Sequence, residues 1–193
     1  KAAQAKVDAV KAELDKAVAL LKDKGNTEGL EAAKNELKTA TEATNVTDGK
    51  TTESADKYNE AKTAAEAVVK EAEGVIADVN STTEDVANAL KKVNAAKAVL
   101  DDAKSKLVEA ATADEKAKLK ADSEALKKAD TRGKTPNSID AYNTKFEALK
   151  TQLEAAKTEA EKVLAKENNA TKEEAKAAQA KVDAVKAELD KAV

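Results

Sequence analysis

Cysteine, histidine, methionine and tryptophan are absent from this chain of 193 residues. Without histidine or cysteine it lacks the commonest general base, the commonest metal ligand and the thiol nucleophile, which excludes most catalytic constellations together. The missing cysteine also excludes disulfides and thiolate metal sites, and fits either a cytosolic protein or an exported one that folds without oxidation. Aromatics are nearly absent as well, with one Phe and two Tyr. Any core must therefore be thin and built from Ala, Val, Leu and Ile. No apolar run approaches the roughly 18 residues that span a bilayer, and Lys1 to Val10 lacks the compact apolar stretch of a secretory leader. The 34 basic and 37 acidic residues leave a formal charge of −3 with no block of one sign, so nucleic acid is not an expected partner.

What remains is rich in Ala, Glu, Lys and Leu, the composition of long helices. Repeats organise it. Lys1 to Val18 reads KAAQAKVDAVKAELDKAV, and Lys176 to Val193 is identical, an offset of 175 residues. That offset is expected to be the period of an array, with one period and the opening of the next present here. Within the period a weaker repeat matches Gly49, Lys50, Thr51, Ser54, Asp56, Tyr58 and Asn59 to Gly133, Lys134, Thr135, Ser138, Asp140, Tyr142 and Asn143, at an offset of 84. Val93, Leu100, Asp101 and Ala103 match Val182, Leu189, Asp190 and Ala192 at an offset of 89. One period therefore holds two divergent modules.

Each module reads as one short helix and two long ones. In the first, Leu30, Ala33, Leu37 and Ala40 share a face, and Asn45-Val46-Thr47-Asp48-Gly49 breaks the chain with turn-forming residues. A heptad seam of Tyr58, Ala61, Ala65, Val68, Ala72, Val75 and Val79 follows. Thr82 and Asp85 then form an Asp version of the capping box, and Val86, Val93, Leu100 and Leu107 recur every seven residues. In the second, Thr112 and Glu115 make a capping box ahead of Leu119 and Leu126. Thr135-Pro136 starts the long helix with Pro at its favoured first position, with a seam of Ile139, Tyr142, Phe146, Leu149, Leu153, Ala156, Ala160 and Val163. Thr171 and Glu174 cap the last helix, whose seam is Val182, Val185, Leu189 and Ala192. Breaks are expected near residues 24–27, 45–52, 80–82, 130–135 and 168–171. Gly25 is the expected stop of the opening helix, while Glu109 to Ala113 contains neither Gly nor Pro and leaves the helix free to run through. Residues 1–25 then form the last helix of a preceding repeat, residues 26–111 one three-helix module, and residues 112–193 a second, truncated at its C-terminal end. The opening helix is an orphan, so its face of Val7, Val10, Leu14, Ala17 and Leu21 has no partner within its own module.

Few residues suggest chemistry. Asp101-Asp102 and Glu173-Glu174 are adjacent carboxylates, but helix neighbours do not share a face. Glu66 with Lys70 and Glu124 with Lys128 fit i to i+4 ion pairs. Asn45, Asn80 and Asn169 each open an Asn-x-Ser/Thr glycosylation pattern, at places where a helix boundary already calls for such residues. Tyr58 and Tyr142 occupy equivalent seam positions and read first as core anchors, second as the lining of a binding groove. Gly74 lies inside a long helix, where it marks a kink or a close helix approach. Arg132, the single arginine, sits in a loop beside Gly133. Tyr58, Tyr142 and Arg132 are the candidates for ligand contact; no catalytic, cofactor-binding or metal-ligating residue is expected, and the chain reads as a non-enzyme.

The Thr135-Pro136-Asn137-Ser138 to Tyr142 stretch, the Ala165 to Thr171 turn and the Glu173-Glu174-Ala175 start resemble the FIVAR-type helical modules of giant Gram-positive extracellular-matrix-binding surface proteins. The first module departs by having Thr52 where the second has Pro136. Three helices per module, each with its seam, are expected to give an all-α fold of tandem, spectrin-like three-helix bundles with short-long-long helices, an elongated monomeric rod. The resemblance implies a secreted, wall-anchored stalk or adhesin, with weak multivalent binding to a host extracellular-matrix protein or glycan. The alternatives are a dedicated binding module for fibronectin or a glycan, or a cytosolic coiled-coil scaffold.

Overall fold

Helix formers dominate the chain, and most of its breaks coincide with Asn, Asp, Gly and Thr clusters. A computed structural model describes residues 1–192, and those residues are helical between the breaks with no β-strand. Seven α-helices occur in the order α1 (Ala2–Ala19), α2 (Glu28–Thr41), α3 (Thr52–Ala77), α4 (Thr83–Ser105), α5 (Ala113–Ala125), α6 (Pro136–Leu164) and α7 (Lys172–Asp190). A single 3-10 turn, Glu167–Asn169, precedes α7.

Side-chain chemistry sets the helix starts. The Thr112 hydroxyl accepts from Glu115 N–H at 3.1 Å while the Glu115 carboxylate accepts from Thr112 N–H at 2.9 Å, a reciprocal capping box. Thr171 and Glu174 repeat it at the start of α7. At α4 the shorter Asp85 does the same work, accepting from Thr82 N–H at 2.9 Å. Pro136 opens α6 behind Thr135.

The chain divides into two compact units, Lys1–Val46 with Tyr58–Ser105, and Thr47–Lys57 with Lys106–Val193. In the first unit α2 packs on α4. Lys92 of α4 pairs with Glu71 of α3 at 2.7 Å. Leu30, Leu37, Tyr58, Ala65, Ala72, Val93 and Leu100 are buried. In the second unit α5, α6 and α7 each pack against the other two. Leu119, Leu126, Leu153, Ala160, Val163, Val182 and Val185 share one core, with Phe146 against its edge.

Several expectations need correction. α1 ends at Ala19, short of Gly25. Gly25 instead permits a close approach, because a Cβ there would lie 2.4 Å from Val86 Cγ2 and 2.8 Å from Thr82 O. The helix does not run through residues 109–113. α4 stops at Ser105 and residues 106–112 are extended, because their backbone finds partners on both sides. Thr51 N–H donates to Val108 C=O at 2.8 Å, and Lys172 N–H donates to Glu109 C=O at 3.0 Å. Val79 falls beyond the end of α3 and is exposed rather than on the seam. Nothing lies within 4 Å of where a Cβ on Gly74 would be, which rules out a close approach there. Lys128 lies past the end of α5 and sits 5.9 Å from the Phe146 ring centroid instead of pairing with Glu124. Among the described residues, no ion pair joins Glu66 to Lys70.

No residue of α1 is buried, and Val7, Val10, Leu14 and Leu21 are among the exposed large apolar side chains.

Candidate functional site

Both tyrosines lie where the seams put them. Tyr58 is buried, and burial pushes its hydroxyl above the usual tyrosine value. Tyr142 is buried on α6, and its hydroxyl oxygen accepts from Ala129 N–H at 2.7 Å, which ties the loop after α5 to α6. The Tyr142 ring lies 6.0 Å from that of Phe146. A buried aromatic body with its polar tip satisfied is the arrangement of a structural anchor. Arg132 stands apart from the tyrosines in its environment: its guanidinium is exposed and its Nε donates to Asp130 Oδ2 at 2.7 Å. That neighbouring carboxylate is held below its ordinary pKa by the Arg132 hydrogen bond.

A cavity in the second unit measures about 270 Å³ and is lined by Thr131, Lys134, Ser138, Ile139, Tyr142 and Ala192, among others. Sequence reasoning identified Tyr142 but not the cavity, because the end of α7 and the loop after α5 meet there only in the fold. Arg132 belongs to the same loop without lining the cavity. A smaller cleft in the first unit lies between α3 and α4, with Val68, Val75 and Ala89 among its walls.

No group of three or more Asp and Glu side chains is placed to hold a metal ion among the described residues. Of the adjacent acids, Glu174 belongs to the α7 capping box and also accepts from Lys166. Asn45 adopts a left-handed backbone with φ of 60°, and the Asn169 side chain accepts from Glu53 N–H at 2.8 Å. Two of the three glycosylation-pattern asparagines therefore serve turn and cap geometry. No helix is long and apolar enough to cross a membrane among the described residues. No protein-family model matches the chain, and no solved structure matches it significantly.

Proposed function

We propose that this chain is a length of tandem-repeat stalk from a Gram-positive cell-surface protein similar to the FIVAR-type matrix-binding proteins. Its mechanical role is to project a distal region from the wall as an elongated rod of three-helix bundles. The observation that carries this reading is the identical 18-residue segment, whose apolar face is exposed along α1 while its second copy buries Val182, Val185 and Leu189 in α7. A sequence that repeats at a fixed period and becomes buried only when two helices precede it is the signature of modules stacked in series. The mutual packing of α5, α6 and α7 supports three helices per module.

A dedicated binding module would need an exposed aromatic or apolar patch; neither tyrosine supplies one, and the exposed apolar face of α1 is the face that α7 buries against helices of its own unit. Adhesion to a matrix protein or glycan is then a weak, multivalent addition to the spacer role. The test is to delete whole periods from the parent surface protein and measure, by immunolabelling in electron micrographs, the distance from the wall to its distal end. The stalk reading predicts a shortening in equal steps. An unchanged distance overturns it.

A further inference from the structure

Two turns in the second unit are built alike and differ in what covers them. At the first, Gly49 has a φ of 65°, Lys50 N–H donates to Thr47 C=O at 3.1 Å, and the Thr51 hydroxyl donates to Ser54 Oγ at 2.9 Å. At the second, Gly133 has a φ of 76°, Lys134 N–H donates to Thr131 C=O at 3.2 Å, and the Thr135 hydroxyl donates to Ser138 Oγ at 3.0 Å. Yet Thr51 and Ser54 are buried, whereas Thr135 and Ser138 are exposed. The cover on the first turn is the extended segment 106–112. Thr51 N–H donates to Val108 C=O, Ala110 N–H donates to Gly49 C=O at 2.9 Å, and Val108 N–H donates to Ser54 Oγ at 3.1 Å. Among the described residues, Thr135 N–H and Gly133 C=O have no such partners.

The covering segment also occurs twice. Residues 20–27 in the first unit repeat one edge of it: Gly25 N–H donates to Ser81 C=O at 3.0 Å and Thr83 N–H donates to Asp23 C=O at 3.1 Å. Their counterparts in the second unit are Ala111 N–H to Ala170 C=O at 2.8 Å, and Lys172 N–H to Glu109 C=O at 3.0 Å. Ser81 and Thr83 map onto Ala170 and Lys172 at the same offset of 89 that relates the two long helices. The other edge of residues 20–27, which would present Lys22 C=O and Lys24 N–H, is unpaired among the described residues. One half of the junction is thus open at residues 133–138 and the complementary half is open at residues 22–24.

The geometry points to a docking surface: the Gly133–Ser138 turn and the cavity beside Tyr142 are the seat for the Leu21–Gly25 segment of a second copy of this sequence, arriving as the next period. Lys176–Val193 has the same sequence as residues 1–18, so in tandem that segment follows α7 with no interval to bridge. Thr135 N–H then donates to the incoming Lys22 C=O, and the incoming Lys24 N–H donates to Gly133 C=O. Charge agrees: Lys50 lies 3.9 Å from Glu109 in the complete junction, and Lys134 comes to face Asp23 in the open one. The incoming Leu21 aligns with the half-buried Leu107 and enters the 270 Å³ cavity. The incoming Asn80, aligned with Asn169, caps Asn137 N–H as Asn169 caps Glu53 N–H.

This inference rests on the tandem-repeat reading, and one experiment separates the two. A two-period chain, residues 1–193 followed by the sequence of residues 19–193, is compared with the present chain by amide hydrogen exchange after segmental labelling of the first period. The Thr135 amide exchanges freely in the one-period chain and slows by about tenfold or more in the two-period chain, toward the rate of Thr51. Asp23→Lys in the added period removes that slowing, and Lys134→Glu in the first period restores it. Unchanged Thr135 exchange beside an added period whose own Thr51 amide is protected overturns the junction and leaves the repeat standing. An added period with an unprotected Thr51 amide overturns the tandem reading, and the junction with it.

Discussion

Val7 is 60% exposed and Val182 is fully buried, although the residues from six before to eleven after each are the same. Leu14 and Leu189 repeat the contrast, at 61% and 6%. Both copies are helical, so local propensity is satisfied equally in each. The difference is tertiary. α7 lies against α5 and α6, while α1 has no residue buried. Most of a helix's stability in a protein comes from tertiary packing of its apolar face. The comparison therefore shows what partner helices add to one fixed sequence.

Substitution at matched positions gives the largest effect. Val182→Asp places an unpaired carboxylate in the core and is expected to cost upward of about 4 kcal/mol, while Val7→Asp changes stability by less than about 0.5 kcal/mol. Urea unfolding of the two variants measures both; similar losses would mean that α1 has a packing partner in solution. The next effect asks where the exposure of the first copy ends. Gly25→Ala drives a methyl group into Val86 and the Thr82 carbonyl, and should lower the stability of the first unit by about 1–3 kcal/mol. Gly74→Ala, facing open space in α3, should raise it by about 1 kcal/mol. Thermal denaturation reads the opposite signs.

Helix caps and seams were readable in advance because they are local. Thr112 with Glu115, Thr171 with Glu174 and Pro136 announce helix starts within four residues, and the heptad positions of Val86, Val93 and Leu100 name their own buried face. Residues 106–112 were not readable, because what unwinds them is pairing with residues 49–51 and 170–172, far away in sequence. The early stop of α1 at Ala19 has the same origin: Asp23 and Gly25 pair with residues 81–83, and the chain must be extended to do so. Tyr142 was identifiable as an anchor, but its partner Ala129 and the cavity beside it depend on how the loop after α5 folds back.

Smaller effects sharpen the role of the cap. Thr171→Ala removes half of the capping box and should cost about 0.5–2 kcal/mol. Acid should act on the same feature. The Glu174 carboxyl is held below its ordinary value by its hydrogen bond from Lys166 and then by Thr171 N–H, and Glu115 by Thr112 N–H. A depressed carboxyl contributes stability that is fully present above its unfolded pKa and is lost as the pH falls through the folded one. The second unit should therefore weaken as the pH drops below the ordinary carboxylate range. Glu174→Gln should flatten that dependence in a series of acid melts.

Hydrogen exchange at the two copies tests the central claim most directly, that partners rather than sequence decide the state of this helix. With Lys176→Arg as a mass tag to distinguish peptides that are otherwise identical, exchange is followed in dilute solution. The account predicts that the Val182 amide is protected nearly to the level of global unfolding of its unit, while the Val7 amide exchanges at a rate close to that of a free helix. Equal protection of the two amides would contradict it, and the assignment of α1 as the unpartnered last helix of a preceding module would fall.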